Sequence, residues 1–149
     1  MREILFRGKR KDNGEWVYGG YARLSNHACF SHNLKYTHFI MKDESIDIGI
    51  GALVDYEVIP ETVGQFTGLT DKNGTKIFEG DICRNTKTGE VVSVKWHGTF
   101  AGFVWSRRRN DNGNLFDFGE LFRAHDKYEV IGNIHDNEEL LKGGELDES

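Results

Sequence analysis

The chain has 149 residues and a mass of 17.0 kDa, with 38% hydrophobic and 29% charged residues, 18 glycines and one proline. That length suffices for one domain, or two small lobes, whose core needs neither metal nor disulfide staples, and the composition excludes collagen-like, disordered and disulfide-scaffold classes. A formal net charge of −5 argues against a protein whose whole surface grips nucleic acid but leaves room for a local basic patch.

The first residues, Met1 to Arg7, return to charge after three apolar positions, and no apolar run approaches the roughly 18–20 residues of a membrane span. A basic run follows at Arg7, Lys9, Arg10 and Lys11, ahead of Asn13-Gly14. This pair recurs at Asn73-Gly74 and Asn112-Gly113. Asn and Gly tolerate the positive φ of tight type I′ turns, so each pair predicts a two-residue hairpin reversal. The flanks agree: Trp16-Val17-Tyr18, Ile77-Phe78 and Leu115-Phe116-Asp117-Phe118 are rich in residues that fit a pleated surface.

Residues 25–54 carry little readable period. Ile46, Ile48 and Ile50 alternate with small or acidic residues and predict an extended edge. Further on, Val92, Val94 and Trp96 alternate with Val91, Ser93 and Lys95, the pattern of a half-buried strand. Phe103-Val104-Trp105 is its expected partner across a short connection, and Tyr128 to Ile134 predicts a closing strand. Helical signal is confined to Asp136–Gly143, where Asp136 is placed to cap and Glu139 to complete a capping box. At about 7 residues this helix must dock on the body to persist. The acidic stretch 143–149 predicts a fraying tail.

Two internal echoes suggest a two-lobed β protein. A shift of 60 positions superposes Phe6, Gly8, Asn13, Gly14, Val17 and Gly20 on Phe66, Gly68, Asn73, Gly74, Ile77 and Gly80. Tyr56-Glu57-Val58-Ile59 returns as Tyr128-Glu129-Val130-Ile131.

Several constellations carry chemistry in principle. His27, Cys29 and His32 offer three zinc ligands within six residues, with His38 or Cys83 as a fourth, but the paired knuckle of zinc sites is missing and loop histidines are the simpler reading. Cys29 beside histidines also suits a thiolate nucleophile, yet it lacks the signatures of catalytic cysteines. Asp71, Glu79 and Asp81 surround one Asn-Gly turn, where turn and strand-end roles outweigh acid/base work. Trp105 with Arg107, Arg108 and Arg109 is the candidate for nucleic-acid contact, combining guanidiniums with a stacking ring; a solvated strand end competes with it. Gly49-Ile50-Gly51 lacks the later glycine of a dinucleotide fingerprint, and no phosphate loop occurs. No cofactor is indicated. Cys29 and Cys83 read as reduced thiols, with one disulfide as the alternative.

The run from Val58 to Ile82, which includes Pro60-Glu61-Thr62-Val63-Gly64-Gln65-Phe66-Thr67-Gly68 and Asp71-Lys72-Asn73-Gly74 and ends Ile77-Phe78-Glu79-Gly80-Asp81-Ile82, resembles the signature of the YopX family. Arg2 to Arg7 and Glu129 to Asn137 extend the resemblance to both ends. It implies a mainly β protein encoded by a bacteriophage or prophage and acting in the cytoplasm of the bacterial host. It implies no reaction and supplies no catalytic residue.

Together these readings give a mainly β, β-rich α+β fold of hairpins, with a small SH3-like barrel-type sheet in the second half and a short C-terminal helix. The expected lobes are 1–60 and 61–142, with a tail at 143–149. The expected activity is binding, to an unknown protein partner or to copies of itself, because aromatics are enriched at interfaces. Nucleic-acid binding through Trp105 and Arg107–Arg109 is the alternative, and an enzyme built on His27, Cys29 and His32 is the weakest reading. No membrane partner is expected.

Overall fold

A computed structural model describes residues 3–25, 36–44, 52–98, 101–107 and 125–141. The chain divides into two compact units, Met1–Gln65 and Phe66–Ser149. Both are antiparallel β structures.

In the first unit the strands are β1 (Phe6–Lys9), β2 (Trp16–Ser25), β3 (Tyr36–Asp43) and β4 (Leu53–Glu57), in spatial order β4-β3-β2-β1. The free edge of β1 pairs with Gly64 and Gln65, the first residues of β5 (Gly64–Thr70). Strand twist curls the sheet until the chain leaving β4 meets the chain leaving β1. Arg10 bridges Val58, Lys11 N–H donates to the Glu57 carbonyl at 3.0 Å, and Ile59 N–H donates to the Lys9 carbonyl at 2.8 Å. The curl encloses Val17, Ile40 and Val58, with Phe6, Tyr21, Tyr56 and Val63 packed against them. Burying each of these large apolar side chains contributes roughly 1.5–3 kcal/mol.

Two glycines fit this curl for steric reasons. A Cβ on Gly8 would lie 3.0 Å from the Val58 Cβ, and one on Gly19 would lie 2.0 Å from the Met41 carbonyl oxygen. Backbone and core occupy the space a side chain would need.

The Asn-Gly turns differ from the expected type I′ form. Among the described residues Ala101 is the one non-glycine residue with positive φ, so neither Asn13 nor Asn73 takes the conformation that such a turn requires. In the first hairpin, Arg10 N–H bonds the Glu15 carbonyl and Gly14 N–H bonds the Arg10 carbonyl, both at 2.9 Å. The loop is therefore four residues long and ends on Gly14 at φ 74°. Asn13 contributes through its side chain, whose Oδ1 accepts Glu15 N–H at 2.9 Å. The third pair, Asn112-Gly113, and the extended edge expected at Ile46, Ile48 and Ile50 lie outside the described residues.

The second unit contains the rest of β5, β6 (Lys76–Phe78), β7 (Asp81–Asn85), β8 (Val91–His97), β9 (Gly102–Arg107) and β10 (Tyr128–Asn133). β5 and β6 form a hairpin, and the remaining strands form a sheet of order β10-β7-β8-β9. Its core holds Ile77, Cys83, Val92, Val94 and Tyr128, with Leu69, Phe103 and Val130 against them.

Two expectations are corrected here. Among the described residues the expected SH3-like barrel-type sheet is open: β9 and β10 are its outer strands and do not pair with each other. The outward backbone of β10 is instead bonded to the β5–β6 turn, where Lys72 N–H donates to the Tyr128 carbonyl at 3.0 Å and Asp71 accepts Val130 N–H at 2.9 Å. The alternation expected in β8 also ends early. Val92 and Val94 are buried as predicted, but Ser93 on the opposite side is buried too, and Trp96 is 51% exposed at the strand end, edge-on to Phe103 with centroids 5.1 Å apart.

The last described residues, 139–141, are helical. Asn133 shapes the approach to them: its Oδ1 accepts the N–H groups of His135 and Asp136, both at 2.9 Å. The segment folds back closely, since a Cβ on Gly132 would lie 2.6 Å from the Asn137 Oδ1. The tail at 143–149 is outside the described residues.

Candidate functional site

The carboxylates of the signature segment are structural. Asp71 is buried, and its Oδ1 accepts Asn73 N–H at 2.8 Å and Thr75 N–H at 2.9 Å while Oδ2 takes Val130 N–H. Asp81 is likewise buried, and its Oδ2 accepts Phe78 N–H at 2.7 Å across the turn that Gly80 makes at φ 91°. Carboxylates placed this way satisfy backbone donors that burial would otherwise leave unpaired. Glu79 precedes Gly80 in that turn.

The basic run near the N-terminus is absorbed by its own hairpin and by β4. The Arg7 guanidinium lies 4.6 Å and the Lys9 ammonium 5.7 Å from the centroid of Trp16. Arg10 lies 4.4 Å from the Tyr56 centroid and holds Asp12 in a two-pronged contact, Nε to Oδ1 at 3.0 Å and Nη2 to Oδ2 at 2.7 Å. Lys11 pairs with Glu57 at 3.0 Å. The hydrogen bond from Arg10 lowers the Asp12 pKa and correspondingly raises that of Arg10. Tyr56 donates its hydroxyl to Glu44, and this bond raises the tyrosine pKa. A groove tracking a nucleic-acid backbone needs exposed cations without carboxylate partners, and here Arg7 is buried while Arg10 and Lys11 are paired with Asp12 and Glu57.

A different arrangement occupies β2 and β3. Register places Tyr21 opposite Ile40, Arg23 opposite His38 and Ser25 opposite Tyr36, so these side chains share the side that begins at the core and runs toward the hairpin's far end. Diagonal neighbours stack along it. Phe6 lies 5.5 Å from Tyr21, and Tyr21 stacks on His38 at 5.8 Å, with a hydrogen bond of 2.6 Å between the Tyr21 hydroxyl and His38 Nδ1. Next, the Arg23 guanidinium lies 4.3 Å from the Tyr36 centroid. The ladder passes from a dry core to an exposed cation and an exposed ring.

The opposite side of the same strands carries Tyr18 and Leu24 of β2 and, through the β3 register, Leu53 of β4. They are 43%, 58% and 69% exposed.

Of the residues singled out in the sequence, Trp105 and Arg107 fall in β9, opposite Val94 and Val92, but their side chains lie outside the described set, as do Arg108, Arg109, His27, Cys29 and His32 entirely. Of the proposed fourth zinc ligands, His38 shares a hydrogen bond with Tyr21 through Nδ1, and Cys83 is a fully buried thiol of the second core. Among the described residues, no helix is long and apolar enough to cross a membrane. The Tyr21–His38 and Arg23–Tyr36 pairs escaped the sequence reading because the β2–β3 register that joins them spans a segment without readable period.

The chain is thus an antiparallel β protein of two units whose longest hairpin presents chemically different sides. It belongs to the YopX protein family, which it matches over residues 5–142. The fold is similar to the crystal structure of protein EF1440 from Enterococcus faecalis, with a TM-score of 0.53 and 23% identity over 95% of this chain and 99% of that one. No protein of curated description matches the chain.

Proposed function

We propose that this protein is a bacteriophage- or prophage-encoded accessory protein that acts in the cytoplasm of a bacterial host by binding protein, a second copy of itself first of all. The observation that supports this reading is one side of the β4-β3-β2 sheet, where Tyr18, Leu24 and Leu53 are exposed, with the half-buried Phe39 and Met41 of β3 between them. Large apolar residues that share one side of a sheet are more characteristic of contact surfaces than ones scattered over different faces. Family membership supports the phage association.

The test is the solution mass by light scattering across a range of concentration and salt. A multiple of 17.0 kDa that persists in high salt and reverts to monomer in a Leu24→Lys/Leu53→Lys variant is expected. A wild-type monomer at every concentration overturns self-association.

A further inference from the structure

We propose that the β2–β3 hairpin is a binding element for single-stranded nucleic acid, centred on Arg23 and Tyr36. Its first support is a charge boundary in the sequence. Residues 16–42 contain Arg23, Lys35, Lys42 and three histidines but no Asp or Glu, so all 24 carboxylates of an acidic chain lie outside this stretch. Both paired strands fall within it up to Lys42. A locally cationic element on an acidic protein is an electrostatic footprint for a polyanion.

The second support is geometric and selects among polyanions. Tyr36 is 46% exposed and Arg23 is exposed above its ring at 4.3 Å. Among the described residues Arg23 makes no ion pair with a carboxylate. A guanidinium laid flat on a ring is ordered before any ligand arrives, and its outer plane and N–H edges serve a base and a phosphate respectively. His38, directly across from Arg23, is fixed by its bond to Tyr21 and braces the pair from the core side. An acidic protein surface would satisfy the charge of this hairpin but would make no use of the stacked plane. The site lies on the opposite side of β2 from Tyr18 and Leu24, so it does not rest on self-association.

The experiment is fluorescence anisotropy of the full chain with labelled oligothymidine of 20 nucleotides, a duplex of equal length and polyglutamate, at 50 and 200 mM KCl. Binding of the single strand in preference to the other two is expected. With one phosphate contact, from Arg23, affinity should fall about 2–3-fold over that salt range. Arg23→Ala and Tyr36→Ala, whose exposed positions leave the core intact, should each weaken binding about tenfold, with unchanged thermal unfolding. Variants that bind like wild type overturn the proposal, as does equal affinity for polyglutamate or no binding of the single strand. An Arg107→Ala/Arg108→Ala/Arg109→Ala variant that abolishes binding while Arg23→Ala does not assigns it to that run instead, and also overturns the proposal.

Discussion

Asp71 and Val130 are joined by a hydrogen bond of 2.9 Å from the backbone N–H of β10 to a carboxylate at the tip of the β5–β6 hairpin. The same side chain holds Asn73 and Thr75, so one buried group both shapes a turn and ties it to a strand far away in sequence. Removing it strands three backbone donors. Asp71→Ala is therefore expected to destabilise the protein by about 3–5 kcal/mol, since bonds to charged acceptors are worth roughly 1.5–3 kcal/mol each and are not additive. Urea denaturation measures the loss, and hydrogen exchange at Val130 should accelerate more than at Val94 in the centre of the sheet.

Glycine substitutions separate steric from conformational demands in the first unit. At Gly19 a methyl group would sit 2.0 Å from a backbone oxygen, and Gly19→Ala must push β2 and β3 apart. A loss of at least about 3 kcal/mol is expected, at the upper end of overpacking costs. Gly14 has open space around it and a φ of 74°, so Gly14→Ala should cost only about 1–2 kcal/mol. Equal losses in thermal unfolding would contradict this account of the two positions.

Tyr56 provides a titration signature. Its hydrogen bond to Glu44 raises the folded pKa above the ordinary tyrosine value of 10.0. In the unfolded chain the phenol ionises first, so the stability this bond contributes is complete below pH 10 and is lost as pH rises through the folded value. Absorbance titration near 295 nm should show one tyrosine ionising late in wild type and missing from Tyr56→Phe.

Asp12 has the opposite sign. Its folded pKa is lowered by the Arg10 hydrogen bond, so its contribution is present above the ordinary aspartate range and is lost as pH falls through the folded value. The pair is exposed and screened by salt. An NMR titration of the Asp12 carboxyl should therefore show a depressed midpoint that returns toward the ordinary value in Arg10→Met.

Cys83 is sealed in the second core among Ile77, Val92 and Tyr128. In a Cys29→Ser background it should react with a thiol reagent only as fast as the protein unfolds. Rapid labelling under native conditions would place that side chain outside the core.

Local patterning made much of the β architecture legible. Alternation at Val92 and Val94, the run from Tyr128 and the clusters of Asn and Gly depend on the chain a few residues at a time, and they correctly marked β8, β10 and two hairpins. The signature from Val58 to Ile82 likewise marked the family. What local sequence could not carry was pairing. The role of Asp71 depends on Val130, the burial of Ser93 on what covers the second side of its sheet, and the absorption of Arg10 and Lys11 on Tyr56, Asp12 and Glu57. Turn form was misjudged because the side chains of Asn13 and Asp71 bond nearby N–H groups while Asn13 and Asn73 stay out of positive φ. The Arg23–Tyr36 stack exists only once β2 and β3 adopt their register. Composition and short-range period thus determined that strands form and where many lie. Tertiary structure decided which charges remain turned outward, because each cation is drawn to whichever ring or carboxylate the register brings within reach.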